Sequence, residues 1–160
     1  MKLRHPKFGG AFTLVEVMAA ILILSVAMLG ASGYRYFAAL DERRATIQAT
    51  AARIGLLLCE SWRGVKGDET YDPTAYFASD LTINKIVDPS SLESQYKDPG
   101  FTLLGACTVT TNGINYDVLL SWKDLSTELR ALNVVVTWYS WRSQNPLPDK
   151  SFNLTTYTLN

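Results

Sequence analysis

One uninterrupted apolar run limits what this chain can fold into. Residues 11–34 contain a single charged side chain, that of Glu16. At a helical rise of about 1.5 Å per residue the run would be about 36 Å long, which is enough to cross a hydrocarbon layer of about 30 Å. The sequence therefore predicts a membrane-spanning helix close to the N-terminus.

The charges on the two sides of this run predict its orientation. Residues 1–10 carry three Lys or Arg side chains and no acid, whereas mixed charge begins at Arg35, beyond the run. Because positively charged flanks tend to stay in the cytoplasm, we predict a cytoplasmic N-terminus with the remaining chain outside.

An ordinary secretory signal peptide has a similar basic start and is the alternative interpretation. Its apolar centre usually spans about 7–15 residues and stops at small residues, which Ala27, Ala31 and Gly33 could imitate. The run seen here is longer. Glu16 also argues against a plain signal or anchor, because an ionised group within a span is costly and usually implies a partner.

The start of the run resembles the class III signal of type IV pilins and pseudopilins. The residues that carry the resemblance are 9–18, GGAFTLVEVM, after a short basic leader. In that family a prepilin peptidase cuts on the cytoplasmic face before a Phe, the new amine is N-methylated, and a Glu five residues into the mature chain is kept. The resemblance implies cleavage between Ala11 and Phe12, N-methylation of Phe12, and an assembly role for Glu16.

One position departs from the family pattern. The family usually has Gly immediately before the cut, whereas here Ala11 follows Gly10. Cleavage after Gly10 would place Glu16 one position out of register. We therefore favour the bond between Ala11 and Phe12, with cleavage after Gly10 as the alternative.

Electrostatics gives Glu16 a role beside the resemblance. An isolated carboxylate among packed apolar helices is expensive, but a neighbouring helix N-terminus offers a positive amine and free backbone donors. We expect Glu16 to select one axial stagger between subunits. The alternative is a snorkelling or protonated carboxyl at the membrane surface.

Apolar residues continue at helical spacing beyond the span. They are Leu40, Ile47, Ala51, Ile54, Leu58 and Trp62. Polar side chains mostly occupy other faces, so residues 35–63 are predicted to continue the helix in amphipathic form. Gly64 and Gly67 are expected to end it, as glycine does at helix C-termini.

A polar region with three prolines follows, and it predicts an irregular connection with a short helix near residues 74–79. Its acids lack the spacing of a calcium-binding loop, so solvated loop carboxylates are preferred to a Ca²⁺ site. Those acids are Asp68, Glu69, Asp72 and Asp80.

Alternating apolar residues then predict an antiparallel sheet of three or four strands. Asn112-Gly113 is a signal for a two-residue type I′ hairpin turn. The predicted strands are residues 101–111, 114–122, 133–141 and 152–159. The fold class is therefore α+β and pilin-like, with a long N-terminal helix packed on this sheet.

These expectations divide the chain into five segments. They are a leader that is removed (1–11), a transmembrane or filament-core helix (12–34), its amphipathic continuation (35–63), a connecting loop region (64–100) and the antiparallel sheet (101–160).

Two cysteines lie in different predicted elements, Cys59 in the helix and Cys107 in the first strand of the hairpin. Disulfides persist outside the cytoplasm, and closing a loop of this size would add about 4 kcal/mol in the chain-entropy model. A Cys59–Cys107 disulfide is therefore predicted, with two buried free thiols as the alternative.

Aromatic residues are frequent in the predicted strands, and they are Trp122, Trp138, Tyr139 and Trp141. Packing and cross-strand pairing explain them better than a ligand or glycan platform. No basic run is interleaved with them, as a single-stranded DNA site would need. Removing residues 1–11 takes three of 15 basic side chains and none of 15 acids, so the mature charge is about −3 and no direct nucleic-acid contact is expected.

Catalytic signatures are missing from the sequence. The single histidine, His5, lies in the leader, so the mature chain cannot assemble a Ser-His-Asp or Cys-His arrangement or a histidine metal site. No P-loop occurs. We predict that the protein is not an enzyme, and no cofactor or metal is expected.

The resemblance implies a minor pilin of the V type or a minor pseudopilin of the I type. Such a protein is a structural subunit of a type IV pilus or a type II secretion pseudopilus. Its expected partners are prepilin peptidase, other pilin or pseudopilin subunits and the cytoplasmic membrane. It would be a single-pass protein of the bacterial inner membrane and then part of a periplasmic or extracellular filament. The alternative from another class is a monomeric, membrane-anchored binding module outside the cytoplasm.

Overall fold

The computed structural model describes residues 13–77, 81–139 and 148–159. Within them the helices and strands are α1 (Leu14–Gly64), α2 (Pro73–Tyr76), β1 (Thr82–Lys85), α3 (Ser90–Tyr96), β2 (Thr102–Thr111), β3 (Ile114–Asp124), β4 (Leu129–Trp138) and β5 (Lys150–Leu159). The chain divides into two compact units, Met1–Ala45 and Thr46–Asn160, and α1 contributes to both.

Helix α1 ends where a left-handed backbone becomes necessary. Gly67 has a φ of +70°, and its N–H donates to the Trp62 carbonyl at 3.0 Å. A Cβ at Gly67 would lie 2.9 Å from side-chain carbons of both Leu132 and Thr158. Glycine is therefore required here for both conformation and space.

The sheet is an antiparallel meander in the order β1-β2-β3-β4-β5. Asn112 and Gly113 connect β2 to β3, and both have positive φ, +52° and +71°. This is the geometry of the type I′ turn that the sequence predicts, and it pairs Thr111 with Ile114 directly across the hairpin.

The main core of residues 46–160 lies between one face of the sheet and the C-terminal part of α1. From α1 the buried residues are Ala51, Ile54, Leu58, Cys59 and Trp62; from the sheet they are Cys107, Val109, Tyr116, Val118, Leu120, Leu132, Val134, Val136 and Trp138. Trp62 is fully buried, stacks on Tyr71 with centroids 5.9 Å apart, and donates its Nε1–H to the Asp68 carbonyl at 2.9 Å. It therefore connects the end of α1 to the loop that follows.

The opposite face of the sheet has a smaller core under α3. Leu92 of α3 packs there with Ala106, Leu119 and Val135, each of which lies next in sequence to residues of the main core. This alternation is the period-two pattern of strands covered on both faces. Residues 46–160 thus form three layers: helix, sheet, and α3 with its flanking loops.

The α+β, pilin-like fold class is confirmed, but the sheet has five strands where three or four were predicted. The additional strand, β1, lies in the segment predicted as a loop connection, and so does α3. β1 pairs only with β2 and is mostly exposed, so its side chains carry no apolar alternation that would reveal it. In addition, β4 begins at Leu129 rather than at residue 133.

Candidate functional site

The N-terminal part of α1 is an apolar helix with no core of its own. Its large side chains are exposed from the first turn onward, as in Leu14 and Leu29 (79% and 74% exposed). Within the described residues, α1 is the helix long and apolar enough to cross a membrane. Exposure of so many apolar groups in water is costly, so this segment requires a lipid or protein environment.

Two serine hydroxyls in this segment are satisfied within the helix itself. Ser25 Oγ donates to the Ile21 carbonyl, and Ser32 Oγ donates to the Met28 carbonyl, each at 2.8 Å. Because hydrocarbon offers no hydrogen-bonding partner, such bonds allow serines to lie within a bilayer or among packed helices.

Small residues leave one stretch of the helix open to close approach. At Gly30 and Gly33 no atom beyond the adjacent residues and the nearby backbone of α1 lies within 4 Å of where a Cβ would be, and α1 runs through both positions without interruption. Small residues allow backbones of neighbouring apolar helices to come near one another.

Glu16 lies in the first turn of α1, and its side chain is exposed. The backbone N–H of Glu16 donates to Thr13, to the carbonyl at 3.0 Å and to Oγ1 at 3.3 Å. Thr13 therefore satisfies a donor that the helix start would leave open. The predicted cleavage and methylation residues, Ala11 and Phe12, lie outside the described residues.

Cys59 and Cys107 are buried in the same apolar cluster, where the structure has them as free thiols. Burial away from water raises the pKa of Cys59 to about 11 and that of Cys107 to about 12. At neutral pH both are therefore protonated and poorly nucleophilic in the folded state. Their pairing stays a prediction.

Mass spectrometry of the native protein with and without reductant tests the pairing. We expect the oxidised protein to be lighter by two hydrogen atoms and to regain them on reduction.

Alkaline unfolding gives a second readout of the pairing. Buried thiols stabilise the fold fully below their ordinary pKa of 9.0, and this contribution is lost as pH rises through the folded value of about 11 for Cys59. A disulfide removes this loss. The free energy of unfolding of the parent and of a Cys59→Ala/Cys107→Ala variant should then fall with the same slope at alkaline pH. Alkylation of Cys59 in the unfolded, unreduced protein would contradict the bond.

The loop acids that the structure describes have partners within the fold. Asp68 Oδ1 accepts hydrogen bonds from Thr70 N and Oγ1 (2.8 and 2.9 Å), which lower the pKa of Asp68. Asp72 caps α2 by accepting from Thr74 N at 3.0 Å. Asp80 lies outside the described residues. Across the described ranges no group of three His, Cys, Asp or Glu side chains is arranged to hold a metal ion.

Two of the four strand aromatics, Trp122 and Trp138, pack within the fold. Trp138 lies in the main core beside Tyr116, with ring centroids 6.3 Å apart. Trp122 lies under the guanidinium of Arg130, 4.0 Å from the ring centroid. Tyr139 is exposed, and Trp141 lies outside the described residues.

Arg130 is a residue whose importance the sequence analysis missed. Its guanidinium binds the Asp124 carboxylate through Nε and Nη2, at 2.7 and 3.1 Å. It also donates to the Gly67 carbonyl and to Glu69 Oε1, each at 2.9 Å. These bonds connect the loop after α1 to β3 and β4. A single Arg at the head of an apolar strand was the available signal.

Asn133 is the second such residue. It is fully buried in β4, and its Nδ2 donates to Asn153 Oδ1 and Thr155 Oγ1 of β5 at 2.7 and 2.9 Å. Its Oδ1 accepts from Ser121 Oγ at 3.4 Å. These partners lie within the fold, so the cluster connects β3, β4 and β5 and satisfies a buried amide.

Comparison with known protein families gives a match at the start of the chain. The family model of the prokaryotic N-terminal methylation motif matches residues 10–32, which include Ala11, Phe12 and Glu16 and extend into the apolar part of α1. No curated protein and no solved structure matches the chain. The match therefore supports similarity to type IV pilin-like proteins over this N-terminal segment, where the motif lies at the head of a long apolar helix.

Proposed function

We propose that this protein is a minor pilin or pseudopilin, a structural subunit of a type IV pilus or a type II secretion pseudopilus. The observation that carries the proposal is the methylation motif at residues 10–32, on a helix whose apolar side chains are exposed. A class III signal implies processing by prepilin peptidase and assembly with other pilins in general.

The proposed maturation uses residues at the start of this helix. Prepilin peptidase cuts between Ala11 and Phe12 at the inner face of the bacterial membrane, and the new Phe12 amine is methylated. Loss of the leader removes three basic side chains, all of which lie before the apolar helix. The mature helix can then leave lipid for a filament without carrying a cluster of positive charge with it.

The proposed driving force for assembly is replacement of lipid by shape-matched helices. Glu16 sets the axial register by pairing with the N-terminal amine of a neighbouring subunit. This pairing makes use of a carboxylate that would be costly if it remained alone in an apolar environment. Residues 46–160 then form the part of the subunit presented outside the membrane.

Sequencing the N-terminus of the mature protein tests the maturation directly. We expect the sequence to begin at Phe12 with an N-methylated residue. Co-expression with an inactive prepilin peptidase should leave the chain starting at Met1, which serves as the control. A mature chain beginning at Ala11 would move Glu16 out of register, and one beginning beyond Tyr34 would refute the proposal.

Site-specific crosslinking from Glu16 distinguishes a filament subunit from a monomeric anchored module. We expect products in which this position is joined to the helices of other pilins. A monomeric module would give none.

A further inference from the structure

We propose that Tyr34, Tyr36 and Phe37 form an aromatic girdle that holds the outer end of the apolar helix in the phospholipid headgroup region. The inference rests on the proposed function and deepens it, because it names the partner of this segment in the membrane-inserted precursor. The partner is a lipid bilayer, recognised through its interface.

The three rings are presented outward from α1. Tyr34, Tyr36 and Phe37 are 75%, 62% and 65% exposed. Tyr36 and Phe37 meet edge to face, with centroids 5.7 Å apart, and this contact leaves most of their surface open. Amphipathic aromatic rings are characteristic of membrane–water interfaces, where the ring contacts lipid and the hydroxyl contacts water.

The placement of the girdle around the helix favours lipid over a protein surface. Successive helical residues are turned by about 100°, so the three aromatic rings and Arg35 point in four directions around the axis. A helix packed on a single protein surface buries one stripe, as α1 does further along with Ala51, Ile54 and Leu58. Lipid surrounds a helix on all sides, and the girdle has the same symmetry.

Arg35 adds charge complementarity. It is the first basic residue after the apolar run. Its side chain is exposed on the side of the helix that the three aromatic rings leave open. A guanidinium pairs well with phosphate oxygens, which phospholipid headgroups supply at this depth.

The spacing along α1 matches a bilayer. Residues 14–33 rise by about 30 Å, the thickness of the hydrocarbon layer. With the girdle in the outer headgroups, Glu16 lies about 27 Å away along the axis, close to the inner interface. The same placement therefore lets the Glu16 carboxylate keep contact with water before assembly.

Cysteine accessibility measures the depth of the girdle. Single cysteines are introduced at positions 28–33 and 38–41 of the full-length chain, which is expressed alone in a bacterial host without pilins. The parent gives the baseline, because Cys59 and Cys107 are buried. A membrane-impermeant maleimide is applied to spheroplasts. We expect positions 28–33 to be protected and position 38 onward to react.

The decisive variant is Tyr34→Leu/Tyr36→Leu/Phe37→Leu, which keeps apolar bulk but removes the interfacial character. We expect the boundary between protected and reactive cysteine positions to move toward the C-terminus by about one helical turn. Cysteines at positions 38–40 should then react at least tenfold more slowly. Replacing the same three residues by Trp should keep the boundary at its parental position.

Two exposed tyrosines outside this segment give the matched control. Tyr76→Leu and Tyr157→Leu remove comparably exposed rings from residues 46–160 and should leave the boundary unchanged. If the triple variant kept the parental boundary and positions 28–33 stayed protected, the girdle would be refuted but the membrane-inserted precursor would not. A boundary that appears only when other pilins are co-expressed would also refute it. Reaction at positions 28–33 as fast as at position 38 would refute the membrane-inserted precursor itself.

Discussion

Glu16→Gln should lower incorporation of the mature subunit into filaments by about a hundredfold while cleavage and membrane insertion continue. The substitution removes a charge that we propose to pair with a neighbouring N-terminal amine in an apolar surrounding. Breaking a buried ion pair from one side costs about 3–5 kcal/mol, which is a hundredfold or more in an equilibrium. The measurement is the amount of this subunit in sheared filaments relative to the amount in the membrane.

Glu42→Gln is the matched control for that experiment. Glu42 is an exposed acid on the same helix, beyond the apolar run. It should be incorporated at the parental level. Parental incorporation of Glu16→Gln would show that this carboxylate does not set the register, and the interpretation as a snorkelling or protonated carboxyl would then be preferred.

Trp62→Ala should lower the free energy of unfolding of the globular unit by about 3–5 kcal/mol. The fully buried indole packs in the main core, stacks on Tyr71 and donates its N–H to the Asp68 carbonyl. Truncation leaves a large cavity and an unsatisfied carbonyl between α1 and the following loop. Pulse proteolysis in urea on the full-length protein in detergent measures the change.

Two further variants separate the causes of that loss. Trp62→Phe keeps an aromatic ring in the core but removes the N–H that donates to the Asp68 carbonyl. The loss of this hydrogen bond alone should lower the free energy of unfolding by about 1–2 kcal/mol. Leu56→Ala truncates an exposed residue of the same helix and should change the free energy by about 0.5 kcal/mol or less. If Trp62→Ala were no more harmful than Leu56→Ala, the main core would not depend on this contact.

The spacing of apolar residues was sufficient to predict the long helix because no proline interrupts the pattern. Ala51, Ile54, Leu58 and Trp62 are spaced for one helical face, and all four are buried against the sheet. The helix ends at Gly64, and Gly67 follows at a position where only glycine fits. Local propensity and tertiary packing therefore agree along this element, and this agreement is why its end could be predicted closely.

The short elements β1 and α3, which lie between α1 and β2 in sequence, could not be predicted in the same way. β1 pairs with β2 on one side and has mostly exposed side chains. Its strand conformation therefore depends on backbone hydrogen bonding to β2 and not on an apolar pattern of its own. α3 begins after Pro89, where Asp88 Oδ1 accepts from Ser90 N at 3.1 Å. This start signal was present in the sequence, but the helix has only seven residues and shows too short an apolar pattern.

The proposed assembly residue and the structural polar residues differ in what the sequence can reveal. Glu16 is conspicuous because it is alone among apolar residues. Arg130 and Asn133 lie in an apolar strand too, but their meaning depends on partners far along the chain, such as Gly67 and Asn153. Only the folded arrangement brings those groups together.

The order of strands has a consequence for export. Each strand of the meander pairs only with the strand next to it in sequence. Successive hairpins can therefore add to one another as the polypeptide emerges, without waiting for a distant segment to arrive. In the proposed orientation the N-terminus stays in the cytoplasm and the residues after the apolar helix would emerge in sequence order, so the sheet could assemble strand by strand and be completed by β5.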